Sequence, residues 1–542
     1  MKISGFQKID SADSNNNVPK WKKTLWAADS FLSGYVLRIE QFMTLKRIIL
    51  LVFLCLLCNA VVALCFNNQL YRDVAGVYAW YARDFGNGIW QGEPISKVPP
   101  LNIFLGGLLV RCGVEAYSSV IAVSLLFMAL TLFPLYRMLK LWMPERSAAL
   151  GCLLFAFAPR ILRFSGTGLL ESGRDFFLVS AFYLLFRSWN KGNKFFHWCL
   201  FGGALGLLML ARGEGSVMAG LIGLLLFIQP VEVWRSGKKI FQNILGPVLI
   251  SGVCALAVIT PTLYQNYTVT GYPVTDARLI PVVRKLPVIK DCFTAKKAKS
   301  QDVRVLPYER KSKESYFSWN NNSQRLKELP RSVIRGAYEP YLILVVLGII
   351  LTLKAGKWRK EYWVLSLYCL CIPACVFCFA VSHRYFIFFI PLLMVFTLAG
   401  LKGVIDFAER YHSGKMLAVL CMAVLVCQPF QTWLWMIDRS DWDELNARAF
   451  IEKNRSRFLP ENSKRKLIIH GDSRIVFRCG EERLFHYGEH FPEAQYITGF
   501  DLLFVRKKDK EELAGCLKRR DLRQIEAPFR RFAVFAPIER EK

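Results

Sequence analysis

The chain has 542 residues, 53% of them hydrophobic, and a mean hydropathy of +0.28. Such apolarity excludes an ordinary soluble domain and fits a polytopic membrane protein. The formal net charge of +29 does not call for nucleic acid, because basic cytoplasmic loops and a surface near anionic lipid account for it.

The first 46 residues are polar and mixed in charge, and they form the expected cytoplasmic N-terminal segment. Residues 11–20, SADSNNNVPK, have the composition of a disordered stretch, and Phe31 to Met43 that of a short interfacial helix. Lys46 and Arg47 precede the first apolar run, which is therefore expected to be an uncleaved span with its N-terminus inside. Runs of spanning length recur near 47–66, 116–138, 147–164, 174–189, 195–211, 215–229, 244–263, 338–353, 361–381, 385–403 and 415–436. With this count the inner loops KLWMPER (140–146), RSWNKGNK (187–194), WRSGKK (234–239), KAGKWRK (354–360) and 402–415 all carry Lys or Arg, as the positive-inside rule requires. The outer loops are then 67–115, 165–173, 212–214, 264–337 and 382–384, and the C-terminal part also falls outside.

The first outer loop, 67–115, is the most informative. Leu70 to Gly88 reads LYRDVAGVYAWYARDFGNG, with Val74, Val77, Tyr78, Tyr81 and Phe85 at helical spacing and Gly86 and Gly88 as stop signals. This predicts a helix on the membrane surface just after the first span. Asp73 stands at its start. A carboxylate there can take a proton from an acceptor hydroxyl or amine; the plainer reading of the residue alone is a helix N-cap. Pro99 to Val110, PPLNIFLGGLLV, is too short to cross comfortably. Counting it as a span would also put every later basic loop outside, so it is expected to be a second surface helix with Pro99 or Pro100 in its first turn.

Loop 264–337 is long, basic and interrupted by prolines, which points to a functional or partly disordered segment. After Ile437 the pattern changes. DWDELNARAFIEKNRSRFL reads as an amphipathic helix, while KLIIH (466–470), RIVFRC (474–479), DLLFVRK (501–507) and FAVFAPI (532–538) read as strands. Lys508 to Cys516 reads as a helix. Three regions follow: the segment 1–46, a transmembrane domain 47–437, and a small α/β domain 438–542. The 16 cysteines sit mostly in apolar runs and form neither a disulfide framework nor a CxxC metal pair. His470 and Asp472 suit a turn between strands. His486 and His490 have helical spacing but no evident third ligand, and the role of a divalent metal stays open.

Several weak motifs in a fixed order carry a resemblance. They are the early outer loop with Asp73; PPLNIFLGGLL, with Lys97 nearby in place of the usual histidine; RFSGTGLLESGRDFFL, with Glu171 and Asp175; LARGEG at 210–215; ITPTLYQNYTVTGYPV at 259–274; and HRYFIFFIPLL at 383–393. In this order they resemble the GT-C membrane glycosyltransferases, in particular the bacterial family 39-like enzymes related to protein O-mannosyltransferases and the lipid A aminoarabinose transferase. The resemblance covers about residues 46–436. It implies a GT-C fold of about 11 transmembrane helices. It also implies transfer of a sugar from a polyprenyl-phosphate donor to a periplasmic acceptor at the bacterial inner membrane, with no nucleic-acid partner.

The resemblance makes Asp73 the base and Glu171 a second catalytic acid, with Asp175 the other candidate for that place. Tyr78, Lys97, Asp175, Arg212, Glu214, His383, Arg384 and Tyr385 become substrate-binding candidates. Arg212 and Arg384 suit a lipid phosphate, since arginine offers a two-pronged donor. Each has a plainer reading too. Arginines at span ends snorkel to the interface, Glu214 can simply pair with Arg212, and acids at a span start complement the helix N-terminus, with Arg174 able to neutralise one. A transporter or flippase for a lipid-linked glycan would also need basic groups facing a lipid phosphate, but the paired halves or interrupted spans common in transporters are not found. A non-catalytic scaffold is the third reading.

Overall fold

The computed structural model describes residues 44–66, 71, 73–88, 99–191, 195–228, 237–270, 272–275, 319–356, 358–377, 382–410 and 427–434, with shorter stretches up to residue 538. Residues 11–20, Phe31 to Met43, Lys97, residues 276–318, the strand expected at 474–479 and the pair His486 and His490 lie outside the described residues.

The N-terminal half is built from α1 (Leu45–Val61), α2 (Ala79–Gly86), α3 (Pro100–Arg111), α4 (Ala116–Leu139), α5 (Glu145–Phe157), α6 (Pro159–Gly166), α7 (Glu171–Lys191), α8 (Phe195–Ala211) and α9 (Gly215–Leu225). It continues through α10 (Gly246–Thr270), α11 (Trp319–Ala337), α12 (Glu339–Lys354), α13 (Lys360–Phe377) and α14 (Met394–Arg410). A helix lies at each expected span, except that 415–436 is described only in part. Among the described residues three helical segments are long and apolar enough to cross a membrane alone, Leu45–Phe66, Ala116–Leu139 and Phe241–Thr268; three bent pairs raise this to six. The two shorter helices of the first outer loop also form. α2 is entered through a wider π-helical turn, Val74–Tyr78, and α3 has Pro100 in its first turn, where the missing N–H costs no helical bond.

Two of the bends fall inside expected single spans, 147–164 and 385–403, so the expectation of uninterrupted spans is corrected there. Ala158 precedes Pro159 and takes an extended conformation (φ −63°, ψ 118°), since proline crowds the helical region of its predecessor; α5 and α6 meet at 55°. Tyr338 takes a left-handed φ of 67°, uncommon for an aromatic residue, and α12 leaves α11 at 87°. The third bend, 65°, separates His383–Leu392 from Met394–Phe407. One member of each bent pair meets at the turn His383–Phe386: Phe164 of α6 lies 5.9 Å from the His383 ring, and α11 packs on that turn.

Buried polar groups pin the bundle. Asn59 of α1 donates to Ser165 Oγ at 3.2 Å and accepts from Trp433 Nε1 at 3.2 Å. In an apolar interior such pairs have no water to compete for them, and an unmatched partner would be costly.

The C-terminal strands β1 (Ile468–His470), β2 (Glu482–Arg483), β3 (Leu502–Arg506), β4 (Leu522–Ile525) and β5 (Phe532–Pro537) form one sheet in the order β2-β1-β3-β5-β4. β1 pairs in parallel with β2 and β3; β5 pairs antiparallel with β3 and β4. The helix α15 (Lys510–Leu517) packs against β3 and β4. β4 was not foreseen. Its sequence LRQI has no apolar alternation, and it forms an edge with one buried residue, Leu522. Trp80 of α2 inserts into the same apolar cluster as Ala447, Ile451, Leu502, Phe504 and Val534, so the first outer-loop helix rests on the sheet.

Candidate functional site

Four segments far apart in the chain bring charged side chains together. The first is the entry to α2. The Tyr71 N–H donates to the Tyr117 hydroxyl at 2.9 Å, tying the chain to α4 just before Asp73. Asp73 already has helical dihedrals and its side chain makes no capping hydrogen bond; its carboxylate pairs with Arg384 instead. The N-cap reading of Asp73 is therefore corrected: its dihedrals are already helical, its side chain caps no N–H, and Arg384 takes its carboxylate.

The second segment is the start of α7. Gly168 turns the chain at φ 75°, a conformation that a side chain would strain. The turn is held from two sides. Ser124 Oγ of α4 donates to the Leu169 carbonyl at 2.9 Å, and Asn102 Nδ2 of α3 reaches the Leu170 carbonyl at 3.5 Å. Glu171, Arg174 and Asp175 then fall on one face, three and four residues apart. The third segment is the α8–α9 turn with Arg212 and Glu214. A Cβ on Gly215 would meet the Leu208 carbonyl oxygen at 2.0 Å, so only glycine lets α9 fold back so tightly. The fourth is the turn His383–Phe386, with Arg384 and Tyr385.

These groups form a ladder of alternating charge. Asp73 pairs with Arg384, whose Nε lies 3.8 Å from Glu171 Oε1. Glu171 also pairs with Arg212 at 2.5 Å; Arg212 pairs with Glu214, and Glu214 lies 3.4 Å from Arg174. Arg174 ends the ladder on Asp175 at 2.8 Å and donates to the Tyr385 carbonyl at 3.1 Å. The Tyr385 ring lies 4.8 Å below the Arg212 guanidinium and 5.5 Å from that of Arg384. The structure thus brings together Asp73, Glu171, Asp175, Arg212, Glu214, Arg384 and Tyr385, while Tyr78 and His383 stand outside the ladder itself. The ladder holds four carboxylates and three guanidiniums, one negative charge in excess when all are ionised.

Burial grades the ladder. The side chains of Arg174, Glu171, Asp175, Glu214 and Arg212 are at most 4% exposed, while those of Asp73 and Arg384 are 19% and 20% exposed. Only the Asp73–Arg384 end meets solvent. Arg212 sits between two carboxylates deep inside. Glu171 is held by ion pairs, and neither of its oxygens has an aligned hydrogen bond among the described residues, so both keep acceptor capacity. A small cavity lined by Met128, Thr131, Phe164, Glu171 and Asp175 lies beside it.

Burial and the Asp73 carboxylate push the Tyr78 hydroxyl up, so it stays a hydrogen-bond donor next to the open end. His383 is pushed down to about 4 by burial and by Arg160, Arg163, Arg335 and Arg384 around it, and is therefore neutral near pH 7. Above about pH 6.5 both the folded and the unfolded chain carry it uncharged. As the pH falls from about 6.5 toward 4 only the unfolded chain takes up the proton, so stability drops over that window. His383→Gln should flatten this part of a melting-temperature profile against pH; an unchanged profile would place the acid sensitivity elsewhere.

Sequence reading placed Arg174 as a neutraliser, but not as the group that joins Glu214, Asp175 and the Tyr385 carbonyl; no linear pattern marks that. Among the described residues no three His, Cys, Asp or Glu side chains gather as a metal site.

Residues 97–264 match the sequence profile of the family described as dolichyl-phosphate-mannose-protein mannosyltransferase. Among solved structures, ArnT from Cupriavidus metallidurans in the apo state aligns with a TM-score of 0.60 at 13% identity, covering 92% of this chain and 99% of that one. ArnT from the same organism bound to undecaprenyl phosphate aligns with a TM-score of 0.59 at 13% identity and the same coverage. No curated protein matches the chain in sequence. The chain thus has the apolar helices of a multi-pass membrane protein and shares the fold of the ArnT structures over almost its whole length.

Proposed function

We propose that the protein transfers a sugar from a polyprenyl-phosphate donor to an acceptor on the periplasmic side of a bacterial inner membrane. The observation that carries this is the open Asp73–Arg384 end of an otherwise buried charge ladder. The likeness to a protein solved with undecaprenyl phosphate supports the donor class, and the basic inner loops support the orientation. About 11 spans complete this reading, with the outer loop 264–337 and the α/β domain 438–542 both helping to recognise the acceptor.

The geometry suggests a division of labour. The acceptor oxygen or nitrogen attacks the anomeric carbon and inverts it, the carbon–oxygen bond to phosphate breaks, and polyprenyl phosphate leaves with the electron pair. The acceptor proton passes to Asp73. An aspartate in an ion pair is a poor base, so the pairing with Arg384 must loosen. The donor phosphate supplies the reason. It offers Arg384 a competing bidentate anion where leaving-group charge develops, and Asp73 is released as the base. Arg212 has two carboxylates of its own, so phosphate falls to Arg384, with Tyr78, His383 and Tyr385 as further donor-binding groups and Lys97 kept in that role by the resemblance alone. Glu171 holds Arg384 and Arg212 in place, and Glu214 and Asp175 complete the support.

The test is sugar transfer by purified, reconstituted protein from a labelled polyprenyl-phosphate sugar to cell-envelope acceptors, with no gradient imposed. Transfer excludes pure transport; donor binding without transfer to any envelope fraction would sink the enzymatic reading. Arg384→Ala should weaken donor binding, and Arg384→Lys should recover only part, because lysine lacks the bidentate fork. Full activity in Arg384→Ala would reduce the residue to an interfacial anchor.

A further inference from the structure

The ladder does not use α11, the helix leading into the bend at Tyr338. Its side chains from Leu326 onward fall into four sectors around the axis. Leu329, Val333, Gly336 and Ala337 face the protein, where Leu329 and Val333 pack on the main core. Next come Leu326, Pro330 and Ile334, all exposed, Leu326 at 63% and Ile334 at 43%. Beside these stand Lys327, Arg331 and Arg335, four residues apart and therefore one above the next, all exposed. Glu328 and Ser332 fill the remaining sector. The order is thus protein, apolar, basic, polar.

The bend of 87° to α12 gives that order a meaning. α12 is an apolar helix, EPYLILVVLGIILTLK, and lies in the membrane in this reading. A helix at right angles to a span lies in the plane of the bilayer surface. There the exposed apolar sector meets acyl chains, the basic sector stands at phosphate depth, and the polar sector meets water. A water-facing helix has no need of exposed Leu326 and Ile334. A helix wholly in hydrocarbon would not carry three cations.

We propose that α11 is a membrane-surface helix whose Lys327, Arg331 and Arg335 bind the phosphates of anionic phospholipids in the adjoining leaflet. Its seat fixes the turn that carries Arg384. A Cβ on Gly336 would come within 2.5 Å of Phe386 Cβ and 2.6 Å of the His383 carbonyl oxygen, so helix and turn are in direct contact with no slack. Lipid engagement of α11 is therefore a support for the open end of the ladder, supplied by the membrane itself.

The test is hydrogen exchange of the full-length protein in nanodiscs of phosphatidylcholine alone, or with about a third phosphatidylglycerol, read on peptides covering 326–337. Each basic residue near an anionic surface contributes about fivefold in binding, so α11 amides should exchange at least about tenfold more slowly in the anionic discs. The triple variant Lys327→Gln, Arg331→Gln, Arg335→Gln should lose the difference, and Glu328→Gln should keep it. Equal exchange in both discs, or a difference that survives the triple variant, would overturn the proposal. So would protection that needs added polyprenyl phosphate, since the ligand would then be the donor. No step measures sugar transfer, so the outcome is independent of the catalytic reading.

Discussion

Asp73→Asn should express and fold as the wild type does, bind the polyprenyl-phosphate donor, and transfer sugar at least about a hundredfold more slowly, the usual cost of losing a general base. The structure sharpens this expectation. Asparagine keeps the size of the side chain but gives up the charge that holds Arg384. Donor affinity should therefore hold or rise, because the guanidinium no longer has to leave a carboxylate to meet the phosphate. A purely structural role for Asp73 predicts the reverse pattern, a melting shift with the rate preserved. The pair is partly solvated, so its loss should cost no more than about 1 kcal/mol of stability. Asp84→Asn, on the same helix beside Arg83, is the matched control and should keep its activity. Single-turnover transfer measured alongside donor binding separates these outcomes. Near-wild-type transfer by Asp73→Asn would remove the base and the proposed mechanism with it.

Arg212→Met should be the most damaging single change to the fold. Arg212 is buried between Glu171 and Glu214, with the Tyr385 ring against its guanidinium. Removing it leaves two carboxylates close together with less compensation, and breaking a buried pair from one side typically costs about 3–5 kcal/mol. Arg212→Lys should rescue little, since one ammonium cannot hold two carboxylates in the same plane. Adding Glu214→Gln to Arg212→Met should recover part of the loss, because one stranded charge is then gone. Melting of the detergent-purified proteins reads the effect. A wild-type melting temperature in Arg212→Met would show that the ladder is not structural, and that Arg212 is held for the donor alone.

The two predictions separate the ends of the ladder, and that separation was invisible in one dimension. LARGEG and HRYF present Arg212 and Arg384 alike, each at the end of an apolar run, and both suit a phosphate. Only packing makes one a buried strut between two carboxylates and leaves the other partly exposed beside Asp73. The plainer reading of Glu214, as a partner of Arg212, is what the geometry shows. The plainer reading of Asp73, as a cap, is not: position in the helix and the arrival of Arg384 decide it, and those two residues are 311 apart in the chain.

What the sequence determined by itself is the set of helices, though not the breaks inside the expected spans 147–164 and 385–403. The helices at the expected spans and the short helix opened by Pro100 follow from local causes, and so does the break at Pro159, although the span 147–164 was read there as continuous. Transfer of an apolar run out of water adds up along contiguous residues, and proline acts on its immediate neighbours, so both can be read in order. Pairing among charges is different. The energy of an ion pair depends on distance in space and on how much water is excluded around it, and neither is a property of a segment. Which acid meets which arginine, and that Arg174 closes the ladder on the Tyr385 carbonyl, were therefore settled only when segments from α2, α7, the α8–α9 turn and the His383–Phe386 turn packed against one another.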